Sequence, residues 1–202
     1  RRVGAMSTCI RKNSAMHQGG WLRSSKEAQS IDREGKPIPW FTYAAIYFLK
    51  DRVKKDFVVF EYGSGNSTLW WAKRVKKITA VEDDERWYKK ITIKLPSNAE
   101  VIYKDIKDKK GYTESVVKSK LMYDIIVIDG SWRNESTEFT VKSLKRNGVI
   151  IFDNADRKEH KKGVEFLLKK NFRRLDFFGL AGIDNANNVT TIFYRESNCL
   201  YL

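Results

Sequence analysis

The sequence predicts an α/β fold: a mostly parallel sheet with helices on both faces, closed by a C-terminal antiparallel hairpin. Three observations carry this. Short, continuous apolar runs at Phe57–Phe60, Ile125–Ile128 and Gly148–Phe152 have the character of strands buried on both faces, as in a parallel sheet. Helical stretches separate these runs, which is the alternation that builds crossover units. The last two strands, Arg174–Phe178 and Thr190–Tyr194, have no helix between them. A Gly/Asn-rich loop joins them instead, so they read as an antiparallel pair.

At 202 residues the chain reads as one domain, able to bury about 70% of its unfolded surface. Residues 1–30 form a basic N-terminal arm with little periodicity, and residues 31–202 form the domain. Cys9 and Cys199 lie near opposite ends, which argues against a disulfide framework or a zinc site and for a reducing, cytoplasmic compartment. The longest apolar run, Trp40–Leu49, is too short to span a membrane. A net charge of +14 admits nucleic acid as a partner. The lysines are scattered and no nucleic-acid motif organises them, so a solvated surface is the favoured reading.

Pro37 and Pro39 hold an extended lead-in, with Pro39 suited to the first turn of a helix running to about Val53. On that helix Trp40, Phe41 and Tyr43 either pack the core or line the mouth of a site. The first strand, Phe57–Phe60, runs directly into Glu61-Tyr62-Gly63-Ser64-Gly65. The two glycines permit a sharp turn and a close backbone approach to a ligand. Asn66, Ser67 and Thr68 are N-cap candidates for the next helix, and Ile78–Val81 is the second strand. Glu82 ends that strand twenty-one positions after Glu61, the length of one strand–helix–strand step. A carboxylate there can accept both hydroxyls of a ribose, so the pattern suits a nucleoside ligand. Thr68 stands where a dinucleotide fingerprint wants a small packing residue, and a phosphate-cradling Lys-Ser or Lys-Thr is missing. Both observations argue against those two nucleotide folds.

Further along, Asp83 and Asp84 open a helix that ends at Pro96, and Glu100–Tyr103 forms the third strand, followed by Asp105. Gly111–Lys120 reads as a weakly amphipathic helix. Tyr123–Ile128 is the fourth strand and ends in Asp129-Gly130, and a helix follows over Glu138–Lys145. Gly148–Phe152 is the fifth strand and ends in Asp153-Asn154, and a basic helix spans about Lys158–Lys170. Ligands of such sheets bind beyond the carboxyl ends of the strands, and Glu61, Glu82, Asp105, Asp129, Asp153 and Asn154 all fall there.

The Glu-x-Gly-x-Gly turn at Glu61–Gly65 resembles motif I of the class I S-adenosylmethionine-dependent methyltransferases, which have a Rossmann-like sheet. The likeness extends over Pro37–Trp40, Glu61–Trp71, Val127–Gly130, Asp153–Arg157, Asp176–Gly179 and Thr190–Arg195, which are similar to a group of small bacterial methyltransferases. It implies an enzyme that takes S-adenosylmethionine, with Glu61, Gly63, Ser64, Gly65, Glu82, Asp83, Asp105 and Asp129 as the cofactor-binding set. In that family the motif I acid lies near the methionine end of the cofactor, and an acid in the position of Asp105 contacts the adenine amino group. Asp105 reads equally as a solvated loop acid.

The reaction expected is O-methylation of a small-molecule or glycan hydroxyl, with Asp129 and Asp153 as catalytic candidates. The alternative is a nucleic-acid-binding or nucleic-acid-modifying protein on the same fold. Asp129 with Asp153-Asn154 resembles the Asp…Asp-Asn magnesium triad of catechol-type O-methyltransferases, which implies Mg²⁺. Trp132 stands where those enzymes carry a lysine base. On the other reading Asp129 orients the cofactor and Asp153-Asn154 is a turn. His17 and His160 are the two histidines, and His160 either approaches the site or lies on the surface.

Overall fold

The computed structural model describes residues 8–202, so the first seven residues of the expected N-terminal arm lie outside the described residues. A seven-stranded sheet forms the centre, in the order β3-β2-β1-β4-β5-β7-β6. Its strands are β1 Val58–Tyr62, β2 Lys77–Glu82, β3 Ala99–Tyr103, β4 Tyr123–Ile128, β5 Leu144–Asp153, β6 Arg173–Gly179 and β7 Asn188–Tyr194. β1 to β5 pair in parallel, whereas β7 pairs antiparallel with both β5 and β6. The expected mostly parallel sheet with an antiparallel end is therefore the observed one.

The continuous apolar runs are explained by alternation between two cores. Val59, Ile125, Val127, Val149 and Ile151 face one layer, together with Phe41, Leu49, Trp70 and Trp71. Phe60, Ile126, Ile128, Ile150 and Phe152 face the other, together with Tyr62, Tyr112 and Tyr123. The apolar runs of the middle strands are thus unbroken because both faces of the sheet are covered.

Helices α1 Ala15–Gly19 and α2 Trp21–Glu27 occupy the described part of the expected arm. Gly20, with φ at +90°, joins them, and a Cβ there would meet the backbone of Asp32 at 2.5 Å. Helix α3, Tyr43–Lys50, begins four residues later than Pro39 suggests, because Thr42 caps it by accepting a hydrogen bond from the Ala45 amide. α4 Asn66–Ala72 and α5 Glu85–Thr92 follow β1 and β2. The expected helix over Gly111–Lys120 is split into α6 Lys109–Thr113 and α7 Ser115–Lys118. The helix expected at Glu138–Lys145 is α8, Arg133–Ser143. A 3₁₀ turn at Lys158–His160 leads into α9, Lys161–Lys169. Among the described residues no helix is long and apolar enough to cross a membrane.

β1 lies between β2 and β4, so the chain winds outward from β1 in one direction and from β4 in the other. A crevice opens at such a reversal, beyond the carboxyl ends of the strands. The acids singled out in the sequence sit at those ends.

Candidate active site

The larger cavity, of about 600 Å³, occupies this crevice. Its wall includes Glu61, Gly63, Ser64, Gly65, Glu82, Asp83 and Asp129, so seven of the eight residues expected to bind a cofactor converge. Asp105 does not join them. It is exposed past the end of β3, outside the cavity wall, and its carboxylate turns back to accept the Lys107 amide, an Asx turn, which is its reading as a loop acid.

The turn after β1 is built for close approach. Gly63 has φ at +88°, where a side chain is strained, and a Cβ there would lie 3.2 Å from the Gly130 backbone. Its amide is held by the Val81 carbonyl at 2.8 Å. Gly65 is the N-cap of α4, displacing Asn66, Ser67 and Thr68 from that role. Thr68 acts from inside the helix: its hydroxyl accepts from the Gly65 amide at 3.0 Å and donates to Glu61 Oε2 at 2.6 Å. The other carboxyl oxygen of Glu61 is buried without a hydrogen bond. Burial pushes this carboxyl up to about 8, and the charges of Asp129 and Glu82 add to the shift.

Glu82 is oriented by four donors. Oε2 accepts from the Ser64 amide at 2.9 Å and hydroxyl at 2.6 Å, and Oε1 accepts from the Asp83 and Asp84 amides at 3.0 Å each. Burial raises its carboxyl above the ordinary range, against the Ser64 hydrogen bond. Trp87, which sequence reasoning passed over, donates its indole N–H to the Ser64 carbonyl at 2.7 Å and forms part of the same wall.

Ala28, Gln29 and Ser30 also line this cavity, and the Asn66 side chain donates to the Ser30 carbonyl at 2.8 Å. The end of the expected arm is therefore cavity wall. No motif marks it, because its placement depends on the whole fold.

A second cavity of about 310 Å³ adjoins the first, lined by Asp153, Asn154, Arg157, Asp184 and Asn188. Trp40, Asp129 and Arg133 line both. The two readings of the α3 entrance thus divide between neighbours: Trp40 is half-exposed at the cavities, whereas Phe41 is buried in the core. His160 lines neither cavity and packs its ring against Phe152, with burial lowering its pKa. Trp132 is held at φ +53° with Lys109 Nζ 4.6 Å from its ring centroid, and it too lies outside both cavities.

The metal expectation finds no support, because Arg133 occupies the space between the expected ligands. Its Nε donates to the Gly130 carbonyl at 3.0 Å. Nη1 reaches the Asp153 carbonyl and, at 3.3 Å, Asn154 Oδ1. Nη2 reaches the Asp129 carbonyl and, at 3.1 Å, Asp129 Oδ1. These contacts use all five N–H donors of a guanidinium. The cation needed to balance Asp129 is already present and covalently attached. Asp153 Oδ1 instead accepts the Thr190 hydroxyl at 2.6 Å, and burial, with the charge of Asp129, holds this carboxyl well above the ordinary range. Buried and engaged by Thr190, Asp153 is not free to present its carboxylate to a ligand. Among the described residues no group of three or more His, Cys, Asp or Glu side chains could hold a metal ion. The residues do not fit Mg²⁺.

Asp129 differs. Its side chain keeps 26% of its surface exposed, next to Arg133. Burial raises its carboxyl to about 6, against the opposing charges of Arg133 and Arg157. It faces both cavities.

No protein-family model and no curated protein matches this sequence. Solved structures do resemble the fold. A precorrin-6y C5,15-methyltransferase from Geobacter metallireducens superposes with a TM-score of 0.63 at 17% identity, covering 86% of this chain and 96% of that one. An rRNA methylase from Streptococcus thermophilus gives 0.57 at 17% identity, over 73% and 92% of the two chains. A putative methyltransferase from Streptococcus mutans, in complex with SAH, gives 0.55 at 16% identity over 74% and 94%. At these identities the likeness establishes the Rossmann-like methyltransferase fold.

Proposed function

We propose that the protein is an S-adenosylmethionine-dependent methyltransferase acting on a hydroxyl of a small molecule or glycan, with Asp129 as general base. The carrying observation is the pair of adjoining cavities that share Asp129: a nucleoside-sized one at the glycine turn and a smaller one beside it. The SAH complex of the Streptococcus mutans structure and the methyltransferase names of the other neighbours support the cofactor and the reaction class, and leave the acceptor to the geometry of the site.

The residues present fit the cofactor. The unpartnered Oε1 of Glu61 offers a buried acceptor to the amino group of the methionine end, whose positive charge would draw the carboxyl into its ionised form. Gly63 to Gly65 clear the space beneath. Glu82 faces a ribose with its orientation fixed by three backbone amides. The Ser64 hydroxyl, its fourth partner, is a rotor that a ribose hydroxyl can replace. When bound, S-adenosylmethionine supplies a methyl group activated by its sulfonium.

The chain's own part is positioning and proton removal. Arg133 fixes the Asp129 carboxylate through Oδ1 at 3.1 Å, leaving Oδ2 to take the hydroxyl proton of an acceptor in the smaller cavity. A carboxyl raised to about 6 suits that exchange near neutral pH better than an ordinary aspartate does. Trp40 contributes an apolar wall to both cavities.

Isothermal calorimetry with S-adenosylhomocysteine tests this. The wild type binds, and Gly63→Val or Glu82→Ala weakens binding by more than tenfold, the one by filling the turn and the other by removing the ribose acceptor. A wild type that does not bind refutes the reading.

A further inference from the structure

The smaller cavity contains more charge than proton removal requires, and hydrogen bonding sorts that charge. Every N–H of Arg133 is turned inward onto Gly130, Asp129, Asp153 and Asn154. Asp129 is engaged by Arg133, and Asp153 by Thr190. Asp184 Oδ1 accepts the Ala186 amide at 3.2 Å and the Asn188 side chain at 2.7 Å. Arg157 stands apart. Its backbone is pinned, with its amide bonded to the Asn154 carbonyl at 3.1 Å. Its side chain lines the cavity but is exposed, and its guanidinium makes no hydrogen bond or ion pair among the described residues. It lines that cavity together with Asp129 and Asp153, the residues at its reacting end.

A guanidinium presents a planar fork of donors that matches a carboxylate or phosphate. Beside it Trp40, with 47% of its surface exposed, offers a flat apolar wall at the junction of the two cavities. We infer that the acceptor is an anionic hydroxy compound, whose carboxylate or phosphate is held by Arg157 while its ring lies on Trp40 and its hydroxyl points to Asp129. The inference rests on the methyl-transfer reading of this site and narrows the class of acceptor. It also gives Arg157 a role that Arg133, with its donors spent, does not fill.

Calorimetry on the protein saturated with S-adenosylhomocysteine decides it, using matched acid and neutral probes: 3,4-dihydroxybenzoate against catechol, and glucuronate against glucose. In the wild type at least one acid binds about tenfold or more tighter than its neutral partner, as one charge-assisted fork allows. Arg157→Gln abolishes that preference, Arg157→Lys keeps part of it, and added salt erodes it because the group sits at a rim. Trp40→Ala weakens the acid and neutral members of the bound pair alike. Affinity for S-adenosylhomocysteine stays within about twofold in the Arg157 variants, which shows that they are folded. The inference is overturned if neither acid is preferred, or if the preference survives Arg157→Gln. Failure of S-adenosylhomocysteine to bind is a separate result that defeats the methyl-transfer reading, and the same acid–neutral comparison on ligand-free protein then still decides the role of Arg157.

Discussion

Replacing Glu61 with Gln should stabilise the ligand-free protein while removing most of its response to ligand. The wild-type carboxyl is buried, accepts the Thr68 hydroxyl at 2.6 Å, and is raised by burial from its ordinary 4.5 to about 8, against the Ser67 and Thr68 hydroxyls. An acid whose pKa is higher in the folded state contributes stability that is complete below about pH 4.5 and is lost as pH rises through about 8. At about 1.4 kcal/mol per pH unit, that span amounts to roughly 5 kcal/mol once the group is forced to ionise, an upper bound since nearby carboxylates respond too. Gln has the same shape, keeps a carbonyl for the Thr68 hydroxyl, and never ionises. Urea midpoints measured from pH 5 to pH 9 should therefore diverge. The variant gains on the wild type by a few kcal/mol across the upper part of this range, and the two converge near pH 5. Adding S-adenosylhomocysteine should close the gap, because its ammonium group pairs with the ionised Glu61 and not with Gln. Wild type and variant with parallel pH profiles would refute the buried, proton-binding role of Glu61. A ligand-induced rise in midpoint equal in both would refute its contact with the cofactor.

Four further outcomes are expected. Asp129→Asn should lower kcat by roughly a hundredfold or more while leaving the affinity for S-adenosylhomocysteine within a few-fold, the range for loss of a general base. In the wild type, kcat/KM should rise with pH through about 6, since Asp129 must be deprotonated to accept the proton; a flat profile from pH 5 to 8 removes it as the base. Turnover should be unchanged by excess chelator, because Arg133 already holds Asp129 and Asn154, whereas Arg133→Ala should cost a few kcal/mol of stability by leaving Asp129 without its partner. Loss of activity in chelator, restored by Mg²⁺, would contradict that assignment.

The sequence by itself determined the sheet and the location of the crevice. Strands with unbroken apolar runs had to be covered on both faces, and the acids that end them had to lie at one edge. The glycine pair and the spacing from Glu61 to Glu82 were legible for the same reason: they are local consequences of a strand–turn–helix–strand unit. Thr68, read from the sequence as a misfit, turned out to brace Glu61 and Gly65, a role visible once the turn is folded. What only the tertiary structure decided depends on residues far apart in the chain. Glu82 closes β2, whereas Asp105 lies two residues past the end of β3, where its carboxylate is taken up by its own Asx turn. Asp129, Asp153 and Asn154 match a metal triad in order and type. The side chain that fills the space between two of them comes from Arg133, four residues beyond Asp129, and no rule of spacing foretells that it folds back over them. Ala28, Gln29 and Ser30 belong to a segment without pattern and reach the cavity because Asn66 holds the Ser30 carbonyl. Strand-end chemistry follows from local periodicity, whereas which charges meet follows from packing that brings β1, β4 and β5 together with the N-terminal segment.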